Sequence, residues 1–214
     1  MRARQIVGGA CVIAAPLLQV AGWILLAQAE GEGPTLGWAV SHGLLFAAVV
    51  LLIPASLAFR HLLRGRVGEG WRDLGPALVV VGALATAGNF TIDLVAWQLA
   101  ATQAEMNTLF TRVRSSLPLA VAFYSVGPGL LPLGMLVQLL SLVRARVVAR
   151  WLPALAALGV VIVAVGQTSG SDTAVVAGYV VVLLGLAPIG WRIMRGRTEV
   201  GGHASTSSAH PQLP

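Results

Sequence analysis

Long apolar runs separated by short arginine-bearing connections set the pattern of this chain. In order they cover Gln5–Ala27, Gly37–Leu63, Leu74–Ala100, Leu117–Val143, Trp151–Gly166 and Ala174–Met194. Most have the roughly twenty residues that a helix needs to cross about 30 Å of hydrocarbon. The fifth is short and has an alternative start near Val147. Inside a bilayer each backbone amide must be satisfied within its own segment, which makes runs of this length helical. The pattern predicts an all-α polytopic membrane bundle with six transmembrane spans over residues 1–197. Residues 198–214 are rich in Gly, Ser, His and Pro, have no apolar period, and are expected to form a disordered cytoplasmic tail.

One stretch breaks the apolar pattern. The segment Gly88–Gln98 (GNFTIDLVAWQ) holds Asp93, the only acidic residue inside any of the six runs. A carboxylate at the centre of a bilayer helix costs roughly 2.5–3.5 kcal/mol on insertion scales, so it is normally kept for a partner, a pathway or a site. At helical spacing Gly82, Thr86, Asn89 and Asp93 share one small, polar face, while Leu84, Phe90, Leu94 and Val95 point elsewhere. That face is expected to meet other helices, and the apolar side to meet lipid.

Composition agrees with a membrane class. Hydrophobic residues make up 57% and charged residues 10%, well below the roughly 25% charged content of soluble domains, and the mean hydropathy is +0.82. A pI near 11.2 would suit nucleic acid, but the arginines gather at span ends, so membrane topology explains them and no nucleic acid is expected. Alternate connections and the two flanks carry Arg2, Arg4, Arg60, Arg64, Arg66, Arg72, Arg144, Arg146, Arg150, Arg192, Arg195 and Arg197; the opposite set holds only Arg112 and Arg114. The positive-inside rule then puts both termini in the cytoplasm. Trp23, Trp38, Trp97, Trp151 and Trp191 fall near the interfaces, as an aromatic belt requires. Fourteen arginines and no lysine are the bias of a GC-rich coding sequence, which leads us to expect a bacterial inner membrane.

Several motifs have a bland reading beside a sharper one. Ala27-Gln28-Ala29 has the form of a signal-peptidase site, but the apolar run before it exceeds the roughly 7–15 residues of a signal peptide, so an uncleaved first helix is expected. Cys11 lacks the preceding leucine of a lipoprotein signal and, being single, forms no internal disulfide. Gln19, Asp93 and Gln167 recur at even spacing, and the even spans end alike in LLRGR, LVRAR and IMRGR. Three related hairpins would produce this, but the positive-inside rule repeating itself is the simpler account. The fourth span contains SVGPGLLPLG, in which Pro128 and Pro132 predict a kink, either beside a cavity or purely structural. In the longest outer connection Met106, Leu109, Phe110 and Val113 recur at helical spacing. They predict a short surface helix, either a lid or an interfacial linker, with Arg112 and Arg114 facing head groups or an anionic ligand.

Depth brings the polar residues together. From the outer ends of their spans, Asp93 and Tyr124 lie about seven residues in, His42 about five and Gln19 about eight, which for Asp93 is roughly 10 Å. Asn89 sits one turn deeper than Asp93. If the polar faces turn inward, Asp93, His42, Asn89, Gln19 and Tyr124 form one outer-leaflet cluster able to hold a proton, a cation or a small polar solute. The competing reading is a His–Asp hydrogen bond that only locks two helices. Haem would need a second His at suitable depth, and His61 lies at the opposite end of the same helix. No other cofactor motif, metal set or catalytic motif occurs in the sequence.

SHGLLF in the second span, RHLLRGR at its inner end and GNFTIDLVAW in the third give a resemblance. The chain resembles a group of uncharacterised small six-helix integral membrane proteins of high-GC bacteria. That resemblance implies a six-helix membrane fold and brings no catalytic residues. The expected function is a small transporter or ligand-binding membrane protein, with a structural or regulatory subunit as the alternative and a membrane enzyme third.

Overall fold

The computed structural model describes residues 2–29 and 34–196; the expected tail and the connection at 30–33 lie outside the described residues. The chain forms α1 (Arg2–Ala29), α2 (Leu36–Leu62), α3 (Glu69–Leu99), α4 (Gln103–Ser115), the single turn α5 (Leu117–Leu119), a π-helical turn (Ala120–Ser125), α6 (Val126–Ala145), α7 (Trp151–Ser169) and α8 (Asp172–Met194). Six segments are long and apolar enough to cross a membrane: α1, α2, α3, the continuous Leu117–Ala145, α7 and α8. With no strand among the described residues, the protein is an all-helical, multi-pass membrane bundle.

Local chemistry sets the helix ends. Thr35, Thr102 and Ser171 cap α2, α4 and α8, their hydroxyls accepting from the amides of Trp38, Glu105 and Ala174. Glu105 also accepts from the Ala101 amide at 2.8 Å, which ties the connection to the first turn of α4. The fifth span starts at Trp151, not near Val147. Arg146 adopts a left-handed conformation (φ 53°) that ends α6, and Val147 and Val148 instead bury their side chains in the main core. The same span runs past Gly166 to Ser169 because the Thr168 hydroxyl bonds back to the carbonyls of Ala164 and Val165, so a polar residue continues the helix.

The spans pack as a closed ring in the order α1, α2, α3, α6, α7, α8, with α8 returning to α1. Lipid chains are as apolar as leucine, so close backbone approach does much of the work of association. Glycines provide it. A Cβ on Gly159 would lie 2.6 Å from the Val182 amide nitrogen, and one on Gly185 2.7 Å from that of Ala156. Gly9 and Gly190 bring α1 and α8 together in the same way, and Gly134 fits against Val79 between α3 and α6. At the centre of the ring lies a cavity of about 10 Å³ lined by side chains including Val12, Leu52, Val79, Met135 and Leu186. Beside it the Gln138 amide donates to the Ser56 hydroxyl, a polar link between α6 and α2.

The surface helix expected from Met106, Leu109, Phe110 and Val113 is α4. Met106 is fully buried under it against Ala96 and Ala100, with Trp38, Trp97, Leu109 and Phe110 packed around. This helix covers the Asp93 end of α3. Gln19 is buried while Gln167 is exposed, so these evenly spaced residues share no common environment.

Candidate functional site

His42 is presented by the first turns of α2. Trp38, one turn earlier, stacks on its ring at 3.7 Å between centroids. The Trp38 carbonyl lies 2.9 Å from Nδ1, and Ser41, whose hydroxyl also donates to that carbonyl at 2.7 Å, sits 3.3 Å from the same nitrogen. A carbonyl oxygen can only accept, so Nδ1 carries a hydrogen and donates it. The other nitrogen, Nε2, faces Asp93 on α3, 3.8 Å from Oδ2. Both side chains are withdrawn from the surface, His42 at 8% and Asp93 at 13% exposure.

The remaining predicted residues divide. Asn89, one turn deeper, does not join the pair; its amide donates to the Phe123 carbonyl at 3.1 Å. That carbonyl lies in the π-helical turn. Pro128 has no N–H to offer the carbonyl four residues back, Ser125 leaves the helical region (φ −135°, ψ −84°), and the turn widens. Gly127 is required there, since a Cβ would strike the Ala122 carbonyl oxygen. Tyr124 sits in the same turn, and its buried hydroxyl has no hydrogen-bond partner. Gln19 is buried on α1 and has no hydrogen bond to His42 or Asp93. Thr86 satisfies itself against the Gly82 carbonyl at 2.8 Å.

Four residues complete the surroundings that the sequence reading assigned elsewhere. Phe90 does not face lipid; its ring meets His42 edge-on at 5.9 Å. Phe110 on α4 lies 6.5 Å from Trp38. Arg114, exposed at the end of α4, holds its guanidinium over the rings of Tyr124 at 4.8 Å and Phe110 at 5.9 Å. Trp38 is as much a platform for His42 as a belt residue. Its spacing of four from His42, on one helix face, was the available signal. The positions of Phe110 and Arg114 depend on how α4 folds back, which has no local signature.

The arrangement thus offers a carboxylate and an imidazole nitrogen facing each other, with Trp38 and Phe90 packed on the imidazole. Among the described residues no set of three His, Cys, Asp or Glu side chains converges to hold a metal. Neither a family model, nor a curated protein, nor a solved structure matches this chain.

Proposed function

We propose that the protein is a small membrane transporter or ligand-binding protein whose working site is the His42–Asp93 pair, carrying one exchangeable proton. A single observation supports this reading: Nδ1 of His42 is committed as donor to the Trp38 carbonyl, so Nε2 is left to face Asp93. A neutral imidazole would then aim a lone pair at the carboxylate. Two bare acceptors facing each other out of water repel, and an uncompensated carboxylate is costly in hydrocarbon. One proton resolves both problems, resting either on Asp93 or on Nε2. The pair is a one-proton store, and the exchange of that proton for a cation or a polar solute is the chemistry it offers.

The orientation belongs to the same proposal. The arginine excess at the end of the bundle opposite Asp93 supports a cytoplasmic position for that end and an outer position for the pair. Impermeant thiol labelling of Ser115→Cys from outside intact cells should succeed, and that of Arg64→Cys should fail; the reverse pattern refutes this orientation.

Infrared spectroscopy of the protein in lipid nanodiscs tests the proton. The wild type should show either a protonated-carboxyl band that disappears in Asp93→Asn, or an imidazolium signal that disappears in His42→Gln. A wild-type pair with neither signal at neutral pH ends the reading. A second reading is favoured by the Asn89–Phe123 bond, which fastens two helices and does nothing else. If His42 and Asp93 act in the same way, Asp93→Asn keeps fold and function intact, because an amide can replace the carboxyl as donor to Nε2.

A further inference from the structure

At the end of α3 away from Asp93, a tryptophan and an arginine from different helices meet at the edge of the bundle. Arg144, in the last turn of α6, holds its guanidinium 5.5 Å from the centre of the Trp71 ring, in the first turn of α3. Both residues are exposed. Further along, the two helices touch closely: a Cβ on Gly134 would lie 2.6 Å from the Val79 amide nitrogen and 2.9 Å from the Gly75 carbonyl oxygen. Beside that contact the outward faces are apolar and uncovered. Leu74 and Val81 follow Trp71 along α3, and Leu133 and Leu140 precede Arg144 along α6, all four exposed and at helical spacing. In a membrane bundle lipid lies against such faces, so acyl chains cover the seam and head groups lie at its end.

Charge at this end is unevenly matched. Asp73 accepts from Arg60 and Arg72, and Glu69 lies 3.5 Å from Arg72. Those acids are met by those arginines, while Arg144 pairs with no carboxylate among the described residues. The adjoining connections add Arg64, Arg66, Arg146 and Arg150. Trp71 orients the Arg144 guanidinium without neutralising it.

We propose that the seam between α3 and α6 is a binding site for one anionic glycerophospholipid. Its phosphate accepts from the forked N–H groups of Arg144, and an acyl chain lies along Leu74, Val81, Leu133 and Leu140. A zwitterionic lipid offers the same phosphate but brings an ammonium to an end already rich in arginine, so the anionic head group is preferred. A second pair gives the contrast: the Arg195 guanidinium lies 4.6 Å from the Trp191 ring. Both members come from one helix end, so that pair forms with no second helix and no seam.

Native mass spectrometry tests the site, using full-length protein released from liposomes of equimolar dioleoyl phosphatidylglycerol and dioleoyl phosphatidylcholine. The wild type should retain phosphatidylglycerol over phosphatidylcholine. Arg144→Gln should lower phosphatidylglycerol retention about fivefold and leave phosphatidylcholine unchanged. Trp71→Leu, which keeps the charge and an apolar surface, should lower it about threefold. Arg195→Gln should match the wild type. Should Arg144→Gln fold poorly, Arg144→Met, which keeps an aliphatic stem over Trp71, serves the same comparison. The site is overturned if the wild type retains the two lipids equally, or if neither Arg144 variant loses phosphatidylglycerol. A loss in Arg144→Gln with none in Trp71→Leu also overturns it, as does an equal loss in Arg195→Gln, which would mean that any interfacial arginine holds phosphate.

Discussion

Helix α3 carries an aspartate near each end, and the two are treated in opposite ways. Asp73 is 43% exposed and accepts from Arg60 Nε at 2.8 Å, Arg72 Nε at 2.8 Å and a second Arg72 nitrogen at 3.0 Å. Asp93, about 30 Å along the same helix by its rise, is 13% exposed and faces only an imidazole nitrogen, at 3.8 Å. Water and two permanent cations keep Asp73 ionised, and solvent screens whatever those contacts contribute. Asp93 is largely withdrawn from water, and its one close partner among the described residues, His42, is not permanently charged. An acid with fixed arginine partners is an anchor, whereas an acid opposite a histidine can change state.

The end holding Asp93 packs against the π-helical turn, and the largest effect is expected there. Gly127→Ala would drive a Cβ into the Ala122 carbonyl and to 2.6 Å from the Ala85 methyl, which costs about 1–3 kcal/mol for overpacking alone. Thermal unfolding in detergent should register that loss, while Gly129→Ala, with open space around its Cβ position, should unfold no earlier than the wild type. Equal stability of the two variants would mean that the π-helical turn does not constrain this end.

A smaller loss is expected from Asn89→Leu, which leaves the Phe123 carbonyl without its cross-helix donor. Polar links between membrane helices contribute about 0.5–2 kcal/mol, so the unfolding temperature should fall less than for Gly127→Ala. The effect should add to that of a change at Asp73, because the two sites share no partner. Strong non-additivity would show that the two ends of α3 are coupled.

The smallest effect belongs to Asp73→Asn. Exposed ion pairs contribute little and fade with salt, so the variant should unfold close to the wild type, with any difference vanishing as ionic strength rises. Its infrared proton signals should match the wild type. Loss of those signals on changing Asp73 would erase the contrast between the two acids.

Parts of this site were legible early because they depend on local quantities. Asp93 stands out as a lone carboxylate in an apolar run, and its depth matched that of His42 by counting residues along helices of known rise. Counting depth leaves rotation open, however. It put Gln19 and Asn89 into the cluster alongside the pair, whereas Gln19 has no hydrogen bond to either member and Asn89 turns to the Phe123 carbonyl. It also turned Phe90 away from His42, although the two rings meet edge-on.

The sequence by itself determined six apolar helices, their approximate bounds, the amphipathic α4 and the anomaly of Asp93, since hydrophobic length and period are properties of a contiguous segment. Tertiary structure decided what Asp93 faces. That depended on how far each helix is rotated about its axis, which glycine contacts such as Gly9–Gly190 and Gly134–Val79 set between segments distant in sequence. It also depended on the π-helical turn and on the fold-back of α4, which carries Arg114 over Tyr124. A side chain's helix and depth follow from its own neighbours along the chain, but its partner is chosen by packing across the bundle.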